Sequence, residues 1–528
     1  MKPYMSCSMR ALTSMVFTAS MALPSALMAQ EIQLTSSDGT VNMTGDFVAF
    51  EDNAYIISTP LGQLRVSATR VSCSGEACPQ LGEASADFLI AGSDTVGLGL
   101  MPLIIEGYAG AKGAEATIGN TSTQGEILAT FVGDQGFGEE IGSYLVSSTS
   151  SGDAFTALQG AEAQIGMSSR RIREGEAREL AADGAGDMFS PSQEHIVAVD
   201  SLVVITHPSN PVSELTTDQL RSIYNGRVQN WSQVGGPNLP IKVVSRQVGS
   251  GTRAVFEQRI FGSNVPPLAP GAVIAEDNAI ASQIVNSDPA AIAVTGFAFQ
   301  RGAQALTLVN ECGIRMAPEP FAARTEEYAL QRRLYLYTRA DDQDAETQEF
   351  IDFATSPEAD NLISKAGFIG LDIARRAQLP GDPRGVALRQ LPGDNYIASF
   401  MQNMYETMVD YDRLSTTFRF VTGSSELDER GSVDKDRLVE YLTQQPAGTE
   451  VLVVGFTDEV GAFDFNLGLA EARASKVAQA IAEKGGSRLG NVAISSIGYG
   501  EVSPAACNSS EDGRRINRRV EIWIRNAA

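Results

Sequence analysis

Ile241-Lys242-Val243-Val244-Ser245-Arg246-Gln247-Val248-Gly249-Ser250-Gly251-Thr252-Arg253 reads as a strand that delivers an arginine, a turn of small residues, and the start of a helical pattern running to Phe261. Small residues opening a helix leave several backbone N–H groups without intrahelical partners, directed at one spot. Ser250 and Thr252 add hydroxyl donors, and Arg246 offers a planar, two-pronged positive charge. That donor set suits a tetrahedral oxyanion such as phosphate. An ordinary glycine turn fits the same residues, so the rest of the chain has to decide.

At 528 residues the chain is too long for one hydrophobic core, and about three domains are expected. Hydrophobic content of 43% and charged content of 20% are ordinary for globular protein. The net charge of −24 excludes nucleic acid and anionic lipid as main partners, and an anionic ligand would have to be held by local groups against the global field. Residues 1–29 have the build of a secretory signal: Lys2 and Arg10, an apolar run from Ala11 to Leu23, then Ser25-Ala26-Leu27-Met28-Ala29. Beyond that segment Cys73, Cys78, Cys312 and Cys507 remain, an even number suited to an oxidising compartment. Cys73 and Cys78 bracket a tight loop and are expected to bridge. Pairing of Cys312 with Cys507 would cross-link two distant domains. The spacing does not suggest a zinc site, and no metal or cofactor is expected.

Residues 31–80 alternate with period two over Val41–Phe50 and Tyr55–Val66 and form a small β module. From about Ala84 strands and helices alternate. Strands are expected at Ala86–Ala91, Gln159–Met167, His195–Thr206, Ala290–Val294 and Arg333–Thr338, and helices at Leu215–Tyr224 and Thr347–Ala354, with an apolar helix ending at Tyr108. This pattern implies open α/β sheets, whose ligands sit at the carboxyl ends of strands. Three strand-to-helix turns, around Thr95, Ser169 and Ser250, are rich in Ser, Thr and Gly. Residues 371–409, with Pro380, Pro383 and Pro392, read as a structured linker, and a second α/β composition occupies 410–528.

A specific resemblance emerges at Leu215-Thr216-x-x-Gln219-Leu220-x-x-Ile223-Tyr224-x-Gly226, continues through Asn230-Trp231 and Gly235-Gly236, and ends at Arg246 with Gly249-Ser250-Gly251-Thr252. Over residues 84–370 the chain resembles the phosphate-binding proteins of ABC transporters, with the type II periplasmic binding-protein fold. The resemblance implies two α/β lobes closing on a bound oxyanion. One lobe would supply Arg246, Ser250, Gly251 and Thr252. The other would supply Thr95 and Val96 from Gly-Ser-Asp-Thr-Val, Ser150 from Ser150-Ser151-Gly152, and Ser169. An ABC permease is then a candidate partner. Two positions depart from the family's pattern: Gln247 and Ser169 stand where carboxylates are common. A carboxylate there accepts the proton of hydrogen phosphate and repels a fully ionised anion, so another oxyanion remains the alternative to phosphate. The two histidines, His195 and His207, flank an apolar strand and read as structural, which favours binding over catalysis.

The second resemblance rests on Gly455-Phe456-Thr457-Asp458-x-x-Gly461, Asn466-x-x-Leu469, Ala472-Arg473-Ala474 and Asn517-Arg518-Arg519-Val520-Glu521. Residues 410–528 resemble the OmpA-like peptidoglycan-binding domain. Asp458 ends a strand and Arg473 lies on the next helix beside the stripe Ala470, Ala474, Val477 and Ile481. A carboxylate and a guanidinium facing each other can clasp a zwitterion, which in that family is the diaminopimelate side chain of the wall peptide. Asn466 would support the loop and Arg518 assist; a plain salt bridge between Asp458 and Arg473 is the alternative. The expectation is therefore a non-enzymatic, exported protein of the periplasm, associated with cell wall or outer membrane. It would bind phosphate or a related oxyanion and be tethered to peptidoglycan, in phosphate uptake or sensing. A structural envelope protein whose lobes contact partners without an anion is the rival.

Overall fold

The computed structural model describes residues 31–36, 42–51, 54–60, 62–67, 71–75, 77–79, 86–133, 140–342, 344–420 and 429–526; the expected signal segment lies outside them. The chain divides into two compact units, residues 1–79 and 80–528. The first is an antiparallel sheet with the spatial order Gly62–Ser67, Ala54–Thr59, Asn42–Glu51, Glu31–Ser36, Val71–Ser74. The alternating run Tyr55–Val66, in which Leu61-Gly62 reads as a turn, is two strands folded into a hairpin. Pro60 has no N–H to give a ladder, and Gly62 takes φ +113°. Ile32, Leu34, Tyr55, Ile57 and Val71 form its core, and Cys73 is bridged to Cys78.

In the second unit one strand organises two lobes. Glu194–Thr206 pairs over its first half with Gln331–Tyr337 (Glu194 with Tyr337, Ser201 with Gln331). Its second half pairs with Ala291–Gly296 (Leu202 with Gly296, Thr206 with Ile292). The first lobe continues outward through Ile165–Ser168, Phe88–Ser93, Glu140–Thr149, Glu126–Gly133 and Ala114–Asn120, and the second through Lys242–Arg246 and Val273–Ala275. Each lobe has its own apolar core, one around Phe88, Ile104, Tyr144 and Phe350, the other around Leu220, Trp231, Phe256 and Leu308. Phe88–Ser93 runs parallel to both Ile165–Ser168 and Glu140–Thr149, and Lys242–Arg246 runs parallel to both of its neighbours, so the turns of each lobe lie at one end of its sheet. The helix expected to end at Tyr108 is two, Asp94–Gly97 and Met101–Ala111, with Pro102 in the first turn of the second.

The C-terminal sheet has the order Arg375–Ala377, Asp412–Arg419, Arg519–Arg525, Thr449–Gly455, Val492–Gly498. Alternation sorts its faces. Val451, Val453, Val520 and Ile522 pack on the helices Glu429–Thr443 and Phe463–Gly485, while Leu452, Val454 and Trp523 pack with Leu388, Met404 and Met408. Leu388 and the two methionines come from the stretch expected to be a linker, whose Arg375–Ala377 also forms an edge strand of the sheet.

This domain is joined to both lobes by charge. Glu521, fully buried, faces Arg384 (2.7 Å), Arg519 (2.8 Å) and Arg413 (3.1 Å) and accepts from Trp523 Nε1 (2.8 Å). Arg413 turns its other side to Glu327 of the second lobe at 2.7 Å. Arg515 meets Glu326 at 3.2 Å, Arg419 Nη2 donates to the Thr325 carbonyl at 2.7 Å, and Cys507 is bridged to Cys312. On the first lobe Arg437 pairs with Asp360 at 3.0 Å. Burial pushes the Glu327 carboxyl up, but the charge and hydrogen bonds of Arg413 hold it at about 2, below the ordinary 4.5. A depressed folded-state pKa adds stability that is complete above pH 4.5 and is lost as pH falls toward 2. The urea midpoint is accordingly expected to fall between pH 5 and pH 2.5, and less steeply in Glu327→Gln. Glu521→Ala, which leaves three arginines facing one another, is expected to cost about 3–5 kcal/mol at pH 7 in the same measurement.

Candidate functional site

Arg246 is the last residue of its strand and is buried. Gly249 takes φ +96°, and Ser250 caps the helix Gly251–Phe261, its hydroxyl accepting from the Arg253 N–H at 3.4 Å. The turn is therefore built as its sequence implies. On the first lobe Thr95 follows the strand Phe88–Ser93, Ser150 caps the helix Ser151–Gln159, and Ser169 follows Ile165–Ser168.

The lobes meet at these turns. A Cβ on Gly251 would lie 2.2 Å from Ser169 Oγ and 2.4 Å from Ser151 Oγ, and one on Gly249 would lie 3.3 Å from Ser150 Oγ. Ser151, not singled out by sequence, ties the first-lobe side together. Its Oγ accepts from the Ser169 N–H and shares a hydrogen bond with Ser169 Oγ, both at 3.1 Å. Val96 is packed into the first-lobe core, so only its backbone is available to a ligand.

The arginine is more heavily engaged than its sequence context suggests. Nη2 donates to Asp94 Oδ2 (2.8 Å) and the Glu276 carbonyl (2.6 Å), Nη1 to Asn278 Oδ1 (2.9 Å), and Nε to the Ala275 carbonyl (3.1 Å). Asn278, fully buried, is a hub. Its Oδ1 also accepts from Thr252 Oγ1 (3.2 Å), and its Nδ2 donates across the lobes to Thr95 Oγ1 (2.8 Å). Thr252 Oγ1 accepts in turn from Arg332 Nη1 (2.9 Å), whose guanidinium is paired with buried Asp200 at 2.6 Å. Burial pushes the Asp94 carboxyl above its usual range, against the pull of Arg246. Asp94 stands within the Gly-Ser-Asp-Thr-Val run and could have been noticed there. Asn278 carries no sequence signal, because only the pairing of Lys242–Arg246 with Val273–Ala275 brings it to the arginine. His195 hydrogen-bonds Thr338 Oγ1 at 3.1 Å, and burial pushes its pKa down to about 4, which keeps it neutral.

In the C-terminal domain Asp458 pairs with Arg518 at 2.8 Å, rather than with Arg473 as its facing partner. The register explains this. Gly455 lies opposite Val520, and the Phe456 N–H donates to the Arg519 carbonyl (2.8 Å), which sets Arg518 beside Asp458. Arg518 also reaches Glu511 (2.7 Å). Arg473 is buried with its guanidinium 5.1 Å from the Phe420 ring centroid; burial, then the charge of Arg518, push its pKa below the ordinary arginine value. Asn466 Nδ2 donates to the Asp458 carbonyl (3.3 Å) and to Glu501 (2.6 Å).

Residues 82–358 match the family model described as the PBP superfamily domain, and residues 419–518 that of the OmpA family. The chain is 25% identical over 186 residues to phosphate-binding protein PstS of Borreliella burgdorferi, covering 34% of this chain and 66% of that protein. It is 26% identical over 196 residues to the PstS of Bacillus subtilis, covering 35% of this chain and 63% of that one. Over 112 residues it is 36% identical to outer membrane porin F of Pseudomonas aeruginosa, 21% of this chain and 31% of the porin. The chain thus spans just under two thirds of the first two relatives and about a third of the porin. A solved ABC-type phosphate transport receptor from Vibrio cholerae is 26% identical, with a TM-score of 0.40, covering 54% of this chain and 99% of that one.

The close approach at Gly251 can be tested directly. Gly251→Val is expected to hold the lobes apart, giving a larger radius of gyration in small-angle scattering, with partial recovery when Ser169→Gly is added. An unchanged scattering curve would count against the contact.

Proposed function

The chain belongs to the PBP superfamily and carries an OmpA-family domain, and on that premise we propose an exported, envelope-located solute-binding protein. It captures phosphate or a related oxyanion between its lobes and is held to peptidoglycan by its C-terminal domain. The observation that carries the first half is the Asn278 hub, which gathers Arg246, Thr252 and Thr95 at the converging carboxyl ends of strands from both lobes. Helix starts at Gly251 and Ser151 add backbone donors there. Arg246, Ser250, Gly251, Thr252, Thr95, the Val96 backbone, Ser150 and Ser169 form the proposed site, with Ser151 and Asn278 supporting it.

Asp94 bears on which anion enters. A carboxylate beside the arginine accepts the proton of a hydrogen oxyanion and repels an anion with none to give. Phosphate and arsenate are favoured over sulfate on this basis, although Gln247 and Ser169 withhold the carboxylates that the family often uses. The same pair supports the second reading. Arg246 already has a counter-charge within the protein, which suits lobes that close on themselves and serve as a contact surface for envelope partners.

Asp458, Arg473, Arg518 and Asn466 form the proposed wall clasp. Asp458 faces the ligand's ammonium and the two arginines its carboxylate. A wall-held binder suits local capture or sensing, and a permease partner has less support. The groups gathered between the lobes bind and orient, and we assign them no turnover.

Isothermal titration of the chain lacking residues 1–29 tests the anion half. Phosphate and arsenate are expected to give heat and sulfate little. Arg246→Ala is expected to abolish binding, and Asp94→Asn to narrow the gap between phosphate and sulfate by about tenfold or more. Absence of heat and of thermal shift with every oxyanion at millimolar concentration would leave the contact-surface reading standing.

A further inference from the structure

The helix Asn395–Met408 precedes the segment matched to the OmpA family, yet its first turns build a surface with the start of the long helix Phe463–Gly485. Tyr396, Phe400 and Phe463 pack edge to face, with ring centroids 5.2, 5.5 and 5.9 Å apart. Tyr396 is oriented by a hydrogen bond from its hydroxyl to Asp464 (2.9 Å). The cluster does not close over itself: Tyr396 is 53% exposed, and nearby Phe465 and Val460 are 66% and 64% exposed. Burying such side chains is worth about 1.5–3 kcal/mol each, so a grouped set left in water points to an occupant.

This surface continues into the proposed clasp. Val460 donates its N–H to Asp458 Oδ1 at 3.1 Å, and Phe465 Cδ1 lies 3.7 Å from the place a Cβ on Gly461 would take. Asn466, next in the chain, holds the carbonyl of Asp458. The loop that carries Asp458 and Val460 therefore leads directly into the helix start that carries Phe463 and Phe465, against which Tyr396 and Phe400 pack through Phe463. The net charge of −24 and the neighbouring Asp394, Glu459 and Asp464 oppose an anionic occupant such as acidic lipid. A neutral saccharide fits both features: aromatic faces pack against the C–H face of a sugar ring, and carboxylates accept its hydroxyl and amide hydrogens.

We propose that Tyr396, Phe465 and the Phe400–Phe463 pair form a ledge for the glycan strand of peptidoglycan, beside the clasp that takes its peptide. The inference rests on the reading of Asp458 as part of a wall-binding site. Two contacts on one polymer act with high effective concentration, so intact wall binds more tightly than free peptide.

The test uses the chain lacking residues 1–29, purified peptidoglycan sacculi in a pelleting assay, and a sugar-free stem peptide containing diaminopimelate in titration. Tyr396→Ala/Phe465→Ala is expected to weaken sacculus binding about tenfold while leaving the stem-peptide affinity within about twofold. Tyr396→Phe, which keeps the ring and loses only the Asp464 hydrogen bond, is expected to retain most of the sacculus binding, within about threefold of wild type, and Asp458→Ala to lose both ligands. Circular dichroism of the double variant should match wild type, since both side chains are exposed. If Asp458→Ala loses sacculi but the double variant pellets as wild type, the ledge is wrong and the clasp stands. Equal loss of stem peptide and sacculi in the double variant also overturns the ledge, because the rings would then serve the peptide. If the wild-type chain does not pellet with sacculi, clasp and ledge fall together.

Discussion

The buried carboxylate of Glu521 is the constraint on which the arrangement of this chain depends. Three guanidiniums converge on it: Arg519 from its own strand, Arg413 from the adjacent strand Asp412–Arg419, and Arg384 from the short helix Pro383–Leu388. One of them, Arg413, passes the charge alternation on to Glu327 in the second lobe. Taking so many charges from water is costly, and it is tolerable only because each finds a partner at hydrogen-bond distance. The stretch between the domains is thereby drawn into the C-terminal fold. The last domain is docked on the lobes, not hung from a tether.

Docking has a consequence for motion. The C-terminal domain holds the second lobe through Cys507–Cys312, Arg515–Glu326 and Arg413–Glu327, and the first lobe through Arg437–Asp360. Hinged binding proteins admit ligand by rotating one lobe against the other. Here a rotation that separates Asp360 from Cys312 must break ion pairs or move the domain that bridges them. In the proposed function, anion capture between the lobes and the posture of the wall domain are therefore mechanically linked.

Local chemistry was legible where the chain itself places the groups. The turn at Gly249–Thr252, the cap at Ser250 and the strand ends before Thr95 and Ser169 all follow from neighbouring residues, and the structure builds them so. What could not be read is what lateral pairing brings together. Asn278 reaches Arg246 because two strands are adjacent, and Arg518 displaces Arg473 beside Asp458 because Gly455 lies opposite Val520. The hairpin strands Ala114–Asn120 and Glu126–Gly133 also escaped the sequence reading; in the second, the apolar Leu128 and Val132 stand between the buried Ile127, Ala129 and Phe131 and blur the alternation in the sequence. Asp94 is a different case. It was visible, but its value depends on a partner that lies 152 residues away.

The pairing of Asp458 with Arg518 does not compete with the proposed clasp; it prepares it. An ionised carboxylate offers about four acceptor positions, and here Oδ2 takes Arg518 while Oδ1 takes the Val460 N–H. Both bonds fix the carboxylate's plane and leave directions for a ligand ammonium. Arg518 is fixed in turn by Glu511, and Arg473 by the packing of its helix, so the two positive groups stand in place before any carboxylate arrives. Groups held by the fold lose little freedom on binding, so less free energy is lost to ordering them. The same logic extends to the aromatic rings alongside. Edge-to-face packing and the Tyr396–Asp464 hydrogen bond orient them in advance, so a sugar ring would meet a surface already in its bound shape.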